Sequence, residues 1–275
     1  AMNTNMYENP IVQENIAKLK SLGYEFIEPD SGRLACGDIG KGKLPKPEVI
    51  VERVLTELYD KKDLVGKKVV VTAGPTRADL DPVRFISNRS TGKMGYEIAI
   101  EARDRGAEVV LISGKTSLDK PNGIEVIDVT TNSEMLEAVL DNYEDADIVI
   151  KAAAVADYKA KEVSTQKIKK GEGNLVLELV RDTDILQTIG QKKKDQILVG
   201  FAAESQNVLE NAKGKLERKN LDYIVANDIT SKDTGFASSD NRVTIISKEG
   251  DIVSLDKMSK REVARNLFDI LGKKR

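Results

Sequence analysis

From Lys67 onward the chain alternates short β-branched runs with stretches of helical period, and few architectures accept that alternation. Strands are predicted at 68–73, 108–112, 125–129, 147–152, 197–201 and 222–226, and helices at 94–105, 133–143, 184–193 and 206–219. Such an order implies a mainly parallel sheet covered on both faces. Gly106 is a helix stop ahead of Ala107-Glu-Val-Val-Leu-Ile112. The tail breaks the alternation, with 242–247 and 252–255 reading as a hairpin and 259–271 as a final helix. The expected class is α/β, Rossmann-like, with a doubly wound and mainly parallel sheet, a C-terminal β-hairpin and helix, and a short N-terminal helical remnant.

The first residues follow another pattern. An amphipathic helix is expected over 9–23, then a glycine-punctuated loop over 31–43, then a helix over 48–59 that begins near Pro47. Asp60-Lys-Lys-Asp63 is a charged linker, so the boundary falls near residue 64 and the expected domains are 1–63 and 64–275. No internal repeat is visible.

Composition narrows the chemistry. The 275 residues are 32% charged and 40% apolar, with net charge −2, which reads as a soluble cytoplasmic protein without a global pull toward nucleic acid or membrane. No apolar run reaches the length of a membrane span, and Ala1–Met6 is too polar for a signal peptide. There is no histidine, which excludes imidazole acid–base chemistry and His metal ligands within the chain. One cysteine, Cys36, excludes an internal disulfide. Tryptophan is absent and aromatics are 4%, so stacking platforms for single-stranded nucleic acid are not expected.

The loop after the first strand of the alternating region carries the most chemistry. Asp81-Pro-Val-Arg-Phe-Ile-Ser-Asn-Arg-Ser-Thr-Gly-Lys-Met-Gly95 is too long for a dinucleotide fingerprint, yet it sets Arg84, Ser87, Asn88, Arg89, Ser90, Thr91 and Lys93 beside the mouth of a parallel sheet. It is not a P-loop: Met94 stands where Ser or Thr should follow the lysine, and Ser87 where a glycine is needed. No tyrosine has a lysine four residues later, which argues against a short-chain dehydrogenase. Gly37-x-x-Gly40-x-Gly42 lacks a strand–helix context and is not a dinucleotide site.

Other candidates carry plain alternatives. The segment 158–171 holds Lys159, Lys161, Lys167, Lys169 and Lys170 against Glu162. It could be an ordinary solvated loop, but it leaves a strand through Ala152-Ala-Ala-Val-Ala-Asp157, whose small residues admit a ligand close to the backbone. A mobile lysine flap there suits a triphosphate and departing pyrophosphate. Asp157 suits a pair of sugar hydroxyls, or is a turn residue. Arg181-Asp-Thr-Asp184 precedes a helix, where Asp182 or Thr183 is expected to cap and the free N–H groups could also hold phosphate or base atoms. Lys215 and Lys219 share a helix face, usually a solvated one. Asn88 could hold a carboxylate or developing oxyanion without titrating, or could be a turn residue.

Taken together these segments resemble phosphopantothenoylcysteine synthetase, also called phosphopantothenate–cysteine ligase, over about residues 66 to 271. The likeness rests on Thr72-Ala-Gly-Pro-Thr-Arg77, the 81–95 loop, Ala153-Ala-Val-Ala-Asp-Tyr158, Lys167-Ile-Lys-Lys170, Gly200-Phe-Ala-Ala-Glu204 and Ala226-Asn-Asp228. Ala1–Met6 and Leu34-Ala-Cys-Gly-Asp-Ile-Gly40 are similar instead to substrate-binding motifs of phosphopantothenoylcysteine decarboxylase, a flavin enzyme fused ahead of the synthetase in many bacteria. The chain thus resembles a synthetase half carrying the last decarboxylase segment.

The resemblance implies a two-step ligation of 4′-phosphopantothenate with cysteine, using CTP and Mg²⁺ and passing through an acyl-cytidylate. Asn88 would position that intermediate and Lys167 would support its formation. Asp157 would hold the ribose; Thr183, Asp184, Ile185 and Leu186 would line the cytidine site; Phe201, Lys215 and Lys219 would complete it. Arg84 would bind the acyl substrate across a homodimer interface. Base contacts through backbone atoms leave CTP and ATP unseparated by residue type alone. Ala78 replaces a usual acidic residue and Thr183 a common proline. In the decarboxylase segment Asn3 and Cys36 match the substrate-clamping asparagine and the proton-donating cysteine; FMN is expected only in a full-length decarboxylase half, and no decarboxylation from this chain alone. A nicotinamide-dependent Rossmann oxidoreductase and a non-catalytic nucleotide-binding scaffold are the rival readings.

Overall fold

A computed structural model describes residues 1–170, 174–204, 208–228 and 240–273, with only the backbone of 203, 204, 208, 209 and 228. The chain divides into two compact units, Ala1–Asp60 and Lys61–Arg275. The smaller holds α1 (Thr4–Tyr7), α2 (Pro10–Ser21), β1 (Asp30–Arg33), β2 (Ile39–Lys43) and α3 (Pro47–Glu57). Asn9 caps α2 by accepting from the Ile11 N–H at 2.9 Å, and Pro10 opens the helix where no N–H is needed. The expected glycine-rich loop is instead an antiparallel β1–β2 hairpin, because glycines at 32, 40 and 42 weaken the side-chain alternation by which a strand is read.

The larger unit runs β3 (Lys68–Ala73), β4 (Arg77–Asp79), β5 (Phe85–Ser87), α4 (Lys93–Asp104), β6 (Glu108–Ser113), β7 (Glu125–Asp128), α5 (Asn132–Asp141), β8 (Ile148–Lys151), β9 (Tyr158–Ala160), β10 (Leu179–Arg181), α6 (Ile185–Gln191), β11 (Ile197–Glu204), α7 (Val208–Arg218), β12 (Tyr223–Asp228), β13 (Asp240–Ser247), β14 (Ile252–Ser259) and α8 (Lys260–Gly272). Eight strands form one sheet in the order β14-β13-β12-β11-β8-β3-β6-β7. The pairs from β12 to β7 are parallel, and β13 and β14 join antiparallel.

Both faces are buried, as a parallel sheet requires. Val69 and Val71 point to one side and pack with Ile98, Ala99 and Ala102 of α4 and Val263, Leu267 and Phe268 of α8. Val70 and Val149 point to the other, among Met135 and Val139 of α5, Ile185 and Ile189 of α6, and Leu216 of α7. After β3 the chain builds outward through β6 and β7, then returns to place β8 on the opposite side of β3. That reversal opens a crevice at the carboxyl ends of β3 and β8, where open α/β sheets bind ligands. No helix among the described residues is long and apolar enough to cross a membrane.

Candidate active site

A cleft of ≈ 730 Å³ occupies that crevice. Its floor is the exit of β8, Ala152–Asp157, which side chains of the 72–88 region hold in place. Thr72 Oγ1 accepts the Ala153 N–H at 3.2 Å, and Thr76 Oγ1 the Ala156 N–H at 3.1 Å. Asn88 Nδ2 donates to the Ala154 and Val155 carbonyls at 3.0 and 3.1 Å, which fixes the amide orientation. Gly92 starts α4 with φ 81°, a conformation that side chains oppose. Gly95 lets α4 lie against β3, since a Cβ there would stand 2.6 Å from the Ala73 Cβ.

The opposite wall is the start of α6 and the end of α7. The α6 cap is Asp184, whose Oδ1 accepts the Gln187 N–H at 3.1 Å, rather than the expected Asp182 or Thr183. Asp182 is otherwise engaged, with Lys159 Nζ at 2.9 Å and the Thr183 N–H at 2.8 Å. Lys219 Nζ lies 2.7 Å from Asp184. Burial pushes the Asp184 carboxyl up, but the Lys219 hydrogen bond and the Gln187 N–H outweigh it and hold the group below its ordinary range.

Asn88, Asp157, Thr183, Asp184, Ile185, Leu186, Phe201, Lys215 and Lys219 all line this cleft. Lys167 and Arg84 do not. Lys167 is exposed, next to Ile168, whose N–H donates to Asp81 Oδ2 at 3.1 Å. Arg84 pairs with Asp81 at 2.6 Å and donates to the Ile168 carbonyl at 3.1 Å. The lysine segment therefore begins as strand β9 paired to β10, and is tied to the 81–84 turn at Ile168. Gly171 of that segment, and the side chains of Glu204 and Asp228 in two of the motifs, lie outside the described residues. Asn3 and Cys36 meet in the smaller unit: Asn3 Nδ2 donates to Cys36 Sγ at 3.3 Å and to Asp38 Oδ2 at 3.2 Å.

Two cleft residues, Lys151 and Asn241, escape a reading of the sequence, and Asn227 enters it only as part of the Ala226-Asn-Asp228 motif, without a role. Lys151 ends strand β8 and faces the cleft. Its only signal is a charged residue closing the apolar run Ile148-Val-Ile150. Asn227 and Asn241 line the same cleft, and their side-chain oxygens are buried without a hydrogen-bond partner among the described residues. Nothing in the local sequence marks Asn241.

Among the described residues no group of three or more His, Cys, Asp or Glu side chains could hold a metal ion. The two carboxylates on the α6 side are each matched to a lysine.

Residues 64–274 match the family of the DNA/pantothenate metabolism flavoprotein C-terminal domain, and residues 1–59 match the flavoprotein family. The chain is 52% identical over 274 residues to the coenzyme A biosynthesis bifunctional protein CoaBC of Bacillus subtilis (strain 168), covering 98% of this chain and 67% of that protein. It is 45% identical to the protein of the same name from Borreliella burgdorferi, covering 98% of this chain and 69% of the relative. Among solved structures, the C-terminal domain of a coenzyme A biosynthesis bifunctional protein CoaBC superposes with a TM-score of 0.67 at 44% identity, over 78% of this chain and 97% of that one. An α/β sheet with a switch-point cleft, and matches of this extent, lead to one conclusion: the chain belongs to the DNA/pantothenate metabolism flavoprotein C-terminal domain family, that of the coenzyme A biosynthesis bifunctional proteins.

Proposed function

We propose that this chain ligates 4′-phosphopantothenate to cysteine with CTP. The observation that carries the reading is the cleft itself: Asn88 and Asp157 on one side face Asp184, Lys215 and Lys219 on the other, around a floor of small residues. In the first step a carboxylate oxygen of the acid attacks the α-phosphorus, the bond to the β-phosphate oxygen breaks, and pyrophosphate leaves. In the second the cysteine amine attacks the acyl carbon, CMP departs with the electron pair of the acyl–oxygen bond, and the amine loses a proton.

Asp157 accepts from the ribose hydroxyls, and Thr183, Asp184, Ile185 and Leu186 enclose the nucleoside with Phe201. Lys215 and Lys219 supply positive charge to the nucleotide. Asn88 clamps the β8 exit in the present state; it holds developing charge after exchanging one carbonyl bond for the acyl phosphate. Lys167 reaches the mouth by movement of the 161–170 segment once the Ile168–Asp81 tie opens on substrate binding, and neutralises the departing pyrophosphate. Mg²⁺ supplies charge neutralisation on the phosphates when bound.

Arg84 is assigned to the acid substrate of a second copy. The apolar side chains around it support a homodimer, since Val83, Phe85 and Val163 are 59%, 44% and 54% exposed. FMN-dependent decarboxylation of the product is assigned to a full-length bifunctional protein, on the flavoprotein match of residues 1–59. A cytoplasmic setting is part of the same reading.

The test is pyrophosphate release with 4′-phosphopantothenate and Mg²⁺, with CTP and ATP compared, with and without cysteine. Release that requires the acid and prefers CTP is expected. Release indifferent to the acid would exclude the ligase reading.

A further inference from the structure

Lys151 is the unusual residue of the cleft. It ends the central strand β8, between Thr72 of β3 and Gly200 of β11 in register. Strand alternation directs its side chain to the face of Val149, which α6 and α7 cover. Glycine on the neighbouring strand brings no side chain to share the space. No hydrogen bond or salt bridge joins the Lys151 side chain to any described residue, in a chain where Lys219 beside it is paired at 2.7 Å. Burial, and then the charges of Lys219 and Lys215, lower its pKa to about 8, against the opposing pull of Asp184 and Asp157. A half-buried ammonium that lines the cleft without a side-chain partner is left under-satisfied, and a ligand acceptor would serve it.

The surroundings decide which part of a nucleotide supplies the acceptor. The Asp184 carboxylate caps α6 and, paired with Lys219 at 2.7 Å, offsets part of the positive charge at this end. Ile185, Leu186, Phe201 and Leu221 line the same end and suit a flat uncharged ring. The phosphates are placed away from these apolar side chains. A ring carbonyl oxygen is the strongest acceptor such a ring offers to an ammonium; every pyrimidine base carries one and adenine has none.

We propose that Lys151 is the specificity-determining residue for the nucleobase, donating a charge-assisted hydrogen bond to the ring carbonyl of a pyrimidine. This rests on the nucleotide-dependent ligase reading and adds to it the side chain that separates CTP from ATP. Because the base contact is a side chain, its replacement alters base preference without altering the phosphate site.

The test is calorimetric titration of the full chain and of Lys151→Met with CTP, and with inorganic tripolyphosphate as a probe of the phosphate end. Methionine keeps the length and removes an unpaired charge, so the variant is expected to melt no lower than the parent. Its Kd for CTP is expected to rise about ten-fold or more, the weight of one charged hydrogen bond, with tripolyphosphate changed less than about two-fold. The parent protein alone gives a second arm: its CTP affinity should fall about ten-fold as pH rises from about 7 to about 9.5, through the lysine pKa, while the variant stays flat. Unchanged CTP binding in Lys151→Met, or equal weakening of CTP and tripolyphosphate, would overturn the assignment and leave the ligase reading standing. Absence of CTP binding by the parent would overturn both.

Discussion

Asn88 shows how much one side chain can do without titrating. Its amide nitrogen bridges two successive carbonyls of the β8 exit, at 3.0 and 3.1 Å, and so fastens the 81–95 loop to the strand end at this point. Aspartate at this position has the same shape and no donor. Its carboxylate would face the Ala154 and Val155 oxygens, a repulsion in place of two hydrogen bonds. Asn88→Asp is therefore expected to lower amide-product formation about 100-fold, the scale of losing one oxyanion donor. Product measured by mass spectrometry under saturating CTP checks this; a native rate would remove Asn88 from the mechanism.

At the scale of elements, the lysine segment is anchored rather than loose. Asp81 accepts from the Val83 and Arg84 N–H groups at 2.7 and 2.8 Å, from the Arg84 guanidinium, and from the Ile168 N–H at 3.1 Å. Burial alone would raise its pKa, but these donors hold it down at about 2. A carboxylate with a depressed folded pKa contributes stability above its unfolded value, near about 3.9, and loses it as pH falls toward about 2. The tie is intact across the working range. Asp81→Asn keeps the shape but weakens the charge-assisted bonds, so trypsin should cut after Lys167, Lys169 or Lys170 several-fold faster, with little change in the melting of the sheet. Cleavage at the native rate would show that the segment is held elsewhere. The hairpin β4–β5 belongs to the same anchor, with the Leu80 N–H donating to the Arg84 carbonyl at 2.9 Å. Three-residue strands are too short for a period of two to be read, which is why this region reads as plain loop from its sequence.

At the scale of the molecule, a buried charge cluster fastens the start of the larger unit to two of its helices. Arg105, 1% exposed, bonds Glu101 at 2.7 Å, Asp63 at 3.2 Å and Asp269 at 2.5 Å, and donates to the Arg265 carbonyl at 3.0 Å. Removing the cation breaks the buried pair with Glu101 and leaves the carboxylates to Lys61 and Arg261, a change worth about 3 kcal/mol, the low end for a broken buried pair. Arg105→Met is expected to lower unfolding free energy by about that amount in urea titration; a change under about 1 kcal/mol would mean the carboxylates find other partners. What the sequence by itself determined was the class, the order of the main-sheet strands and the helices from Lys67, the closing hairpin and helix, and the loop beside the sheet mouth, but not the short strands β4, β5, β9 and β10. Those features are written in the period of neighbouring residues, and period is local. Only the tertiary structure decided that Lys151 meets Lys215, Lys219 and Asp184, that Asp184 and not Asp182 caps α6, and that Arg84 and Lys167 stand off the cleft around Asp81. These outcomes depend on sheet register and on which side of β3 the returning strand takes, and both are fixed by packing between segments tens of residues apart.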